Sequence, residues 1–186
     1  MTVVFDFDKT LTYKDSLSEL FRERSGLPAR FVHLGLKVLS KVGLISVKQE
    51  KLAMIRLLFG GDARRFADAC REQAGRIRLN PMMDTLRGYA ARGERVIVLS
   101  ASAVYLLSEV FSGLEIDIMG SEFEVRDGKI LGFRQHPFDQ EKLETLRRHG
   151  VTHVDEEYFD SHHDECLKDI SDRWYRVQDG MIVEHN

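Results

Sequence analysis

The stretch Val3-Val4-Phe5-Asp6-Phe7-Asp8-Lys9-Thr10-Leu11-Thr12 constrains this chain more than any other. Three consecutive apolar residues without polar alternation read as a strand buried on both faces. Two carboxylates follow, one residue apart. Successive side chains of a strand point to opposite faces, so Asp6 and Asp8 start on the same side. They sit where the strand gives way to a loop, and in open α/β sheets ligands bind at that carboxyl end. Two carboxylates and a hydroxyl at one strand tip suit a hard divalent cation such as Mg²⁺. Aspartate is also common in turns, so the D-x-D spacing alone leaves both readings open.

A length of 186 residues allows one domain of ordinary size, or a core with a small insertion. Hydrophobic residues make up 43% and charged residues 31%, which is ordinary for a soluble globular protein. The net charge of −3 gives no case for nucleic-acid binding. Cys70 and Cys166 are far apart and form no metal-type pair; they read as reduced thiols of a cytosolic protein. The N-terminus is strand-like and ends in acids, unlike a signal peptide. No stretch approaches about 18 uninterrupted apolar residues, so no membrane span is expected.

Past the opening strand, residues 15–78 read as four helices. Asp15 or Ser16 caps the first, which carries Leu17, Leu20 and Phe21. Pro28 suits the first turn of the second. That helix puts Phe31, Leu34, Val38, Val42 and Ile45 on one face, with Arg30, Lys37 and Lys41 opposite. The third spans about Val47 to Phe59 and stops at Gly60-Gly61. Asp62 caps the fourth, whose apolar stripe is Phe66, Ala69, Cys70 and Ala74. A helix then opens at Asn80-Pro81. Arg95 to Leu99 reads as the second buried strand, ending at Ser100-Ala101-Ser102, with Ser102 fit to cap the helix that follows. Ile116 to Met119 is strand-like, and Glu122–Val125 and Lys129–Phe133 flank a hairpin turn at Asp127-Gly128. Asp139 caps a helix to about His149. His153 to Phe159 is the next strand, and a second hairpin turns at Asp179-Gly180. Alternating strands and helices outside 15–78 predict an α/β fold, a doubly wound parallel sheet with a helical cap inserted after the first strand. The expected division is a core of 1–14 and 79–186, and a cap of 15–78.

The opening string resembles the first motif of the haloacid dehalogenase superfamily, a hydrophobic run followed by D-x-D-x-T-L-T. The insert position is similar to that of its phosphoserine-phosphatase-like members. The resemblance implies that Asp6 is the nucleophile and Asp8 the general acid/base, with Thr10 steadying the loop around the phosphate. Ser100, at the end of the second buried strand, resembles the second motif and would bind phosphate together with the backbone at Ala101. Asp139-Gln140-Glu141-Lys142-Leu143 resembles the third, with Lys142 holding the phosphoryl group. Phe159-Asp160-Ser161-His162-His163-Asp164 resembles the fourth, G-D-S-x-x-D, with Phe159 in place of glycine. Asp160 would then bind Mg²⁺ directly with Asp6 and the backbone carbonyl of Asp8, and Asp164 would bind through water or orient the site. His162 and His163 lack further ligands and are not read as a metal pair.

These elements imply a Mg²⁺-dependent phosphatase that hydrolyses a small phosphomonoester through an aspartyl-phosphate. Two other readings stay open. Residues Pro28 to Phe59 carry a net charge of +5 in an otherwise acidic chain. An amphipathic helix with a basic polar face is compatible with an anionic membrane surface, and so with peripheral membrane contact through the cap. The C-terminal segment resembles that of bacterial phosphatidylglycerophosphate phosphatases, which implies a lipid-phosphate phosphatase. The simpler expectation is that the apolar stripe packs on neighbouring cap helices and the lysines are merely solvated. A non-catalytic phospho-ligand-binding module is the third reading, and it leaves the assignable acids and Lys142 without a task.

Overall fold

The computed structural model describes residues 1–186. β1 (Thr2–Phe5) pairs in parallel with β2 (Arg95–Ala103) on one side and β5 (Val154–Phe159) on the other. β2 pairs in parallel with β3 (Asp117–Arg126), and β5 with β6 (Ser171–Gln178). Antiparallel strands β4 (Lys129–Gln135) and β7 (Met181–His185) complete the two edges. The order is β4-β3-β2-β1-β5-β6-β7. The chain runs outward from β1 through β4, then returns to β1's other side, so the direction of winding switches at β1. Crevices at such a switch point are where open α/β sheets bind ligands.

Four helices lie between β1 and β2: α1 (Ser16–Arg24), α2 (Leu27–Lys41), α3 (Val47–Phe59) and α4 (Ala63–Ala74). Their ends follow local chemistry. Asp15 accepts from the Ser18 N–H, Ser46 and Gln49 form a reciprocal capping box, and Asp62 accepts from the Arg65 N–H. Gly60 closes α3 in the left-handed region at φ 62°. Thr12 and Leu79 pair in an isolated bridge, so the chain leaves and re-enters the sheet side by side. The remaining helices are α5 (Met82–Ala91), α6 (Val104–Val110), α7 (Gln140–Arg148) and a 3₁₀ segment, His162–Ile170. No helix is long and apolar enough to cross a membrane.

Alternate residues of β1 feed different layers, as the pleat requires. Val3 and Phe5 join Leu20, Met54, Ile55, Phe66 and Cys70 of the insert with Leu86, Leu106 and Phe111 of α5, α6 and the turn after it, all in one cluster. Val4 joins Ile97, Leu99, Leu146, Val154 and Leu167 on the other side. The insert therefore shares its core with the sheet's own helices. Cys70 and Cys166 are free thiols.

Three sequence expectations change. β2 runs four residues past Leu99, its register with β3 shifting between Leu99 and Ala103, so Ser100–Ser102 belong to the strand tip. Ala103, not Ser102, precedes α6. The strand at Ile116–Met119 and the first arm of the hairpin are one continuous strand, β3. The third change is α2. Its apolar stripe does not pack on neighbours: Phe31, Leu34, Val38 and Val42 are exposed, and only His33 is buried. The helix turns His33 and Leu36 inward, Leu36 packing against the core cluster. His33 meets the Phe21 ring edge-on at 5.6 Å, and its Nε2 lies 3.7 Å from Glu50. Arg30 and Lys37 lie on the flank toward α1 rather than opposite the stripe, bonded to the Ser25 carbonyl and the Ser18 hydroxyl.

Candidate active site

The ladder continues one residue beyond β1, the Asp6 N–H donating to the Tyr158 carbonyl at 2.9 Å. This extends the backbone in strand form and fixes Asp6 at the tip. α7 brings Lys142 to the same point, its Nζ donating to Asp6 Oδ1 at 2.7 Å and also to Asp164. All three side chains are buried. Asp160, next after β5, adds a third carboxylate with an oxygen within 4.8 Å of those of Asp6 and Asp164.

Burial, and the charges of Asp164 and Asp160, push the Asp6 carboxyl well above the usual carboxylate range despite Lys142. Burial followed by Asp164 raises Asp160 in the same direction. Burial works against the Lys142 ammonium, but Asp164 and Asp6 outweigh it, raising its pKa and keeping it charged. One ammonium thus faces three carboxylates, with Lys9 reaching Asp160 only at 4.0 Å. This excess of convergent, hard oxygen donors fits a divalent cation of the Mg²⁺ kind.

The Asp8 side chain stands apart from that trio. Its Oδ1 accepts from the Ser16 N–H at 2.8 Å, and its Oδ2 from the Ser102 hydroxyl at 2.6 Å. The two serine hydroxyls also bond each other at 2.8 Å. Burial and the charge of Asp15 raise the Asp8 carboxyl to about 6, against the lowering effect of both serines. A carboxyl with that pKa exchanges protons near neutral pH.

Ser100 sits at the β2 tip, where its Oγ accepts from the Ser102 N–H at 3.1 Å. The Ala101 carbonyl accepts from Ser121 Oγ at 2.8 Å and from Lys51 Nζ at 3.0 Å. Gly120 lets β3 approach this tip: a Cβ there would meet Leu107 Cδ1 at 2.8 Å and the Ser102 carbonyl at 2.9 Å. Asp6, Asp8, Ser100, Ala101, Lys142, Asp160 and Asp164 together line one cavity of about 210 Å³. Thr10 does not reach it. Its side chain is buried with no partner for Oγ1, and its carbonyl accepts from Asn80. The loop is tied instead by Thr12, whose Oγ1 accepts from the Lys9 N–H and donates to the Lys14 carbonyl. Phe159 is fully buried and faces Trp174, with ring centroids 6.0 Å apart, so the bulk in the glycine position points away from the cavity. His163 lines the cavity, whereas His162 does not.

Sequence reasoning missed Asp15, Ser16, Lys51 and the true task of Ser102. For Ser102 a signal existed, a second hydroxyl two residues past Ser100 on a strand tip. Lys51 offered none, since surface helices carry many lysines. It reaches the cavity from α3, where burial lowers its pKa.

Residues 3–167 match the haloacid dehalogenase-like hydrolase family, and the chain belongs to that family. Protein CicA of Caulobacter vibrioides is 28% identical over 145 residues, an alignment covering 71% of this chain and 64% of that relative. The chain thus spans less than two thirds of the curated relative's length. Among solved structures, a protein of unknown function from Bordetella pertussis Tohama I superimposes with a TM-score of 0.75 at 21% identity, covering 90% of this chain and 85% of its own. A phospho-aspartyl intermediate analogue of phosphoserine phosphatase superimposes with a TM-score of 0.61 at 18% identity, covering 94% and 85%. A substrate-bound phosphoserine phosphatase gives 0.63 at 18%, covering 93% and 83%. The fold is common to all of these.

Proposed function

We propose that this protein is a Mg²⁺-dependent phosphatase that hydrolyses a small phosphomonoester through an aspartyl-phosphate on Asp6. The observation that carries this reading is the division of the carboxylates. Asp6 and Asp164 share Lys142 and Asp160 converges with them, while Asp8 is held apart by Ser16 and Ser102 with a proton to exchange. The phosphoserine phosphatase fold supports the same chemistry.

Lys142 holds Asp6 Oδ1 and turns the carboxylate toward the cavity. Asp6 attacks phosphorus, the bond from phosphorus to the leaving oxygen breaks, and that oxygen takes the proton of Asp8. Asp8, now a carboxylate, accepts a proton from water as the water attacks the aspartyl-phosphate. Inorganic phosphate leaves and Asp6 is restored. Ser100, the backbone at Ala101 and Lys142 surround the phosphoryl oxygens and stabilise their charge. Asp6, Asp160 and the Asp8 carbonyl would hold the cation, with Asp164 orienting them through Lys142; when bound, it offsets the carboxylate charge and polarises the phosphoryl group. Residues 15–78 act as the cap, with Asp15, Val47 and Lys51 forming the cavity wall on that side.

The test is a rapid acid quench of the protein with Mg²⁺ and a ³²P-labelled aryl phosphate. A hydroxylamine-labile label on the wild-type chain, absent from Asp6→Asn, is expected. An Asp6→Asn protein that hydrolyses the substrate at the wild-type rate would overturn the reading.

A further inference from the structure

We propose that the outward face of α2 is a docking surface for an anionic lipid membrane. Leu27, Phe31, Leu34, Val42 and Leu44 are 61–72% exposed, and Val38 is 54% exposed. At 100° per residue, Leu27, Phe31, Leu34, Val38 and Val42 form one continuous stripe along the helix. α2 therefore leaves this apolar stripe bare, His33 being its only buried residue and Leu36, on the side away from the stripe, packing on the core. A contiguous bare apolar surface of this kind marks an interaction site.

Charge identifies the occupant. No acidic residue occurs from Arg24 to Gln49, although the whole chain is acidic at −3. Arg30, Lys37 and Lys41 run along one flank of the stripe, and none of them has a carboxylate partner. Several exposed arginines elsewhere are paired, Arg71 with Asp68, Arg95 with Asp117 and Arg176 with Glu184. A bare apolar stripe beside unpaired cations matches the acyl boundary and anionic headgroups of a bilayer. Two copies packed stripe to stripe would instead bring these flanks together with no acid on either helix to meet them. With 15 residues, α2 is about 22 Å long, too short to cross the hydrocarbon core, so it lies in the surface plane.

The position also serves the catalytic centre. The groove beneath α2, lined by His33, Lys37 and Lys41, shares Asp15, Val47 and Lys51 with the active-site cavity. A docked α2 holds that groove beside the headgroups. The docking surface itself does not depend on the reaction assigned to the site.

The experiment is co-sedimentation with phosphatidylglycerol and with phosphatidylcholine vesicles at low and high salt. Binding is expected on the anionic vesicles at low salt, weakening as salt screens the cations. Lys37→Glu/Lys41→Glu should lower vesicle affinity by at least about 30-fold, or about 2 kcal/mol at about 1.4 kcal/mol per tenfold. Phe31→Ser/Val38→Ser should also abolish sedimentation while leaving turnover of a soluble aryl phosphate unchanged, because both side chains face solvent. No binding at low salt, or equal binding to both vesicle types, overturns the proposal. So does a dimer in sedimentation equilibrium that dissociates in Phe31→Ser/Val38→Ser, which would assign the stripe to a second copy.

Discussion

Lys142 Nζ stands 2.7 Å from Asp6 Oδ1, and both groups are buried. The pair joins the first strand to the last helix before β5, and Asp164 shares the same ammonium. Removing one partner of such a group leaves an uncompensated buried charge, which typically costs about 3–5 kcal/mol. Lys142→Met should therefore lower unfolding stability by that order in chelator-treated protein. Urea denaturation checks it, and a midpoint equal to the wild type's would show that the carboxylates do not need the ammonium.

Asp6→Asn keeps the shape of the site and removes the proposed nucleophile. Loss of an essential group commonly costs several orders of magnitude in rate. Turnover is expected below roughly a percent of wild type. Retained turnover that mass spectrometry cannot attribute to deamidation back to aspartate would refute the assignment.

Metal affinity should depend more on Asp160 than on Asp164. Asp164 already serves Lys142, whereas Asp160 has only the distant Lys9. Isothermal titration with Mg²⁺ should show a larger loss for Asp160→Ala than for Asp164→Ala. The reverse order would exchange their roles.

The alkaline limb of the pH–rate profile should follow Asp8. Its carboxyl, raised to about 6, is the proton donor of the proposed first step, so that step should slow as pH rises through that value. Ser102→Ala removes the 2.6 Å bond that favours the carboxylate. The limb should then move to higher pH, while Ser100→Ala, which does not touch Asp8, should leave it in place. Unmoved limbs in Ser102→Ala would detach the profile from Asp8.

Glu157 gives a stability effect of its own. Burial and the charge of Asp164 raise its carboxyl to about 8 from an ordinary 4.5, and its Oε1 has no partner. The folded state holds this proton more tightly than the unfolded chain. Its contribution is complete below about 4.5, declines as pH rises and is gone above about 8. Glu157→Gln should flatten that decline by a few kcal/mol, at ~1.4 kcal/mol per pKa unit. Urea midpoints across pH 5–9 measure it, and equal slopes in the two proteins would count against the buried proton.

The helix ends were legible because they depend on neighbours in sequence. Asp15, Gly60 and Asp62 end or start helices through contacts within a few residues. Ser100-Ala101-Ser102 looks like a turn in the sequence, yet pairing with β3 keeps the second strand extended to Ala103. Resemblance puts Thr10 with the phosphate, whereas in the structure its hydroxyl is buried without a partner.

By itself the sequence determined that Asp6 and Asp8 follow a buried strand, that α1 to α4 interrupt the sheet, that Lys142 lies at the start of a helix and that Asp160 lies at the end of a strand. These follow from periodicity, capping and spacing, which act over short distances along the chain. Only the tertiary structure decided that Asp8 belongs to Ser16 and Ser102 while Asp6 belongs to Lys142 and Asp164. Both aspartates begin on one side of one strand, and their separation depends on which distant groups pack above each. Only the tertiary structure, likewise, left the stripe of α2 bare. A helical period says which residues share a face; whether anything covers that face depends on how α1 and α3 are placed, and they meet α2 at His33 and Lys37, off the stripe.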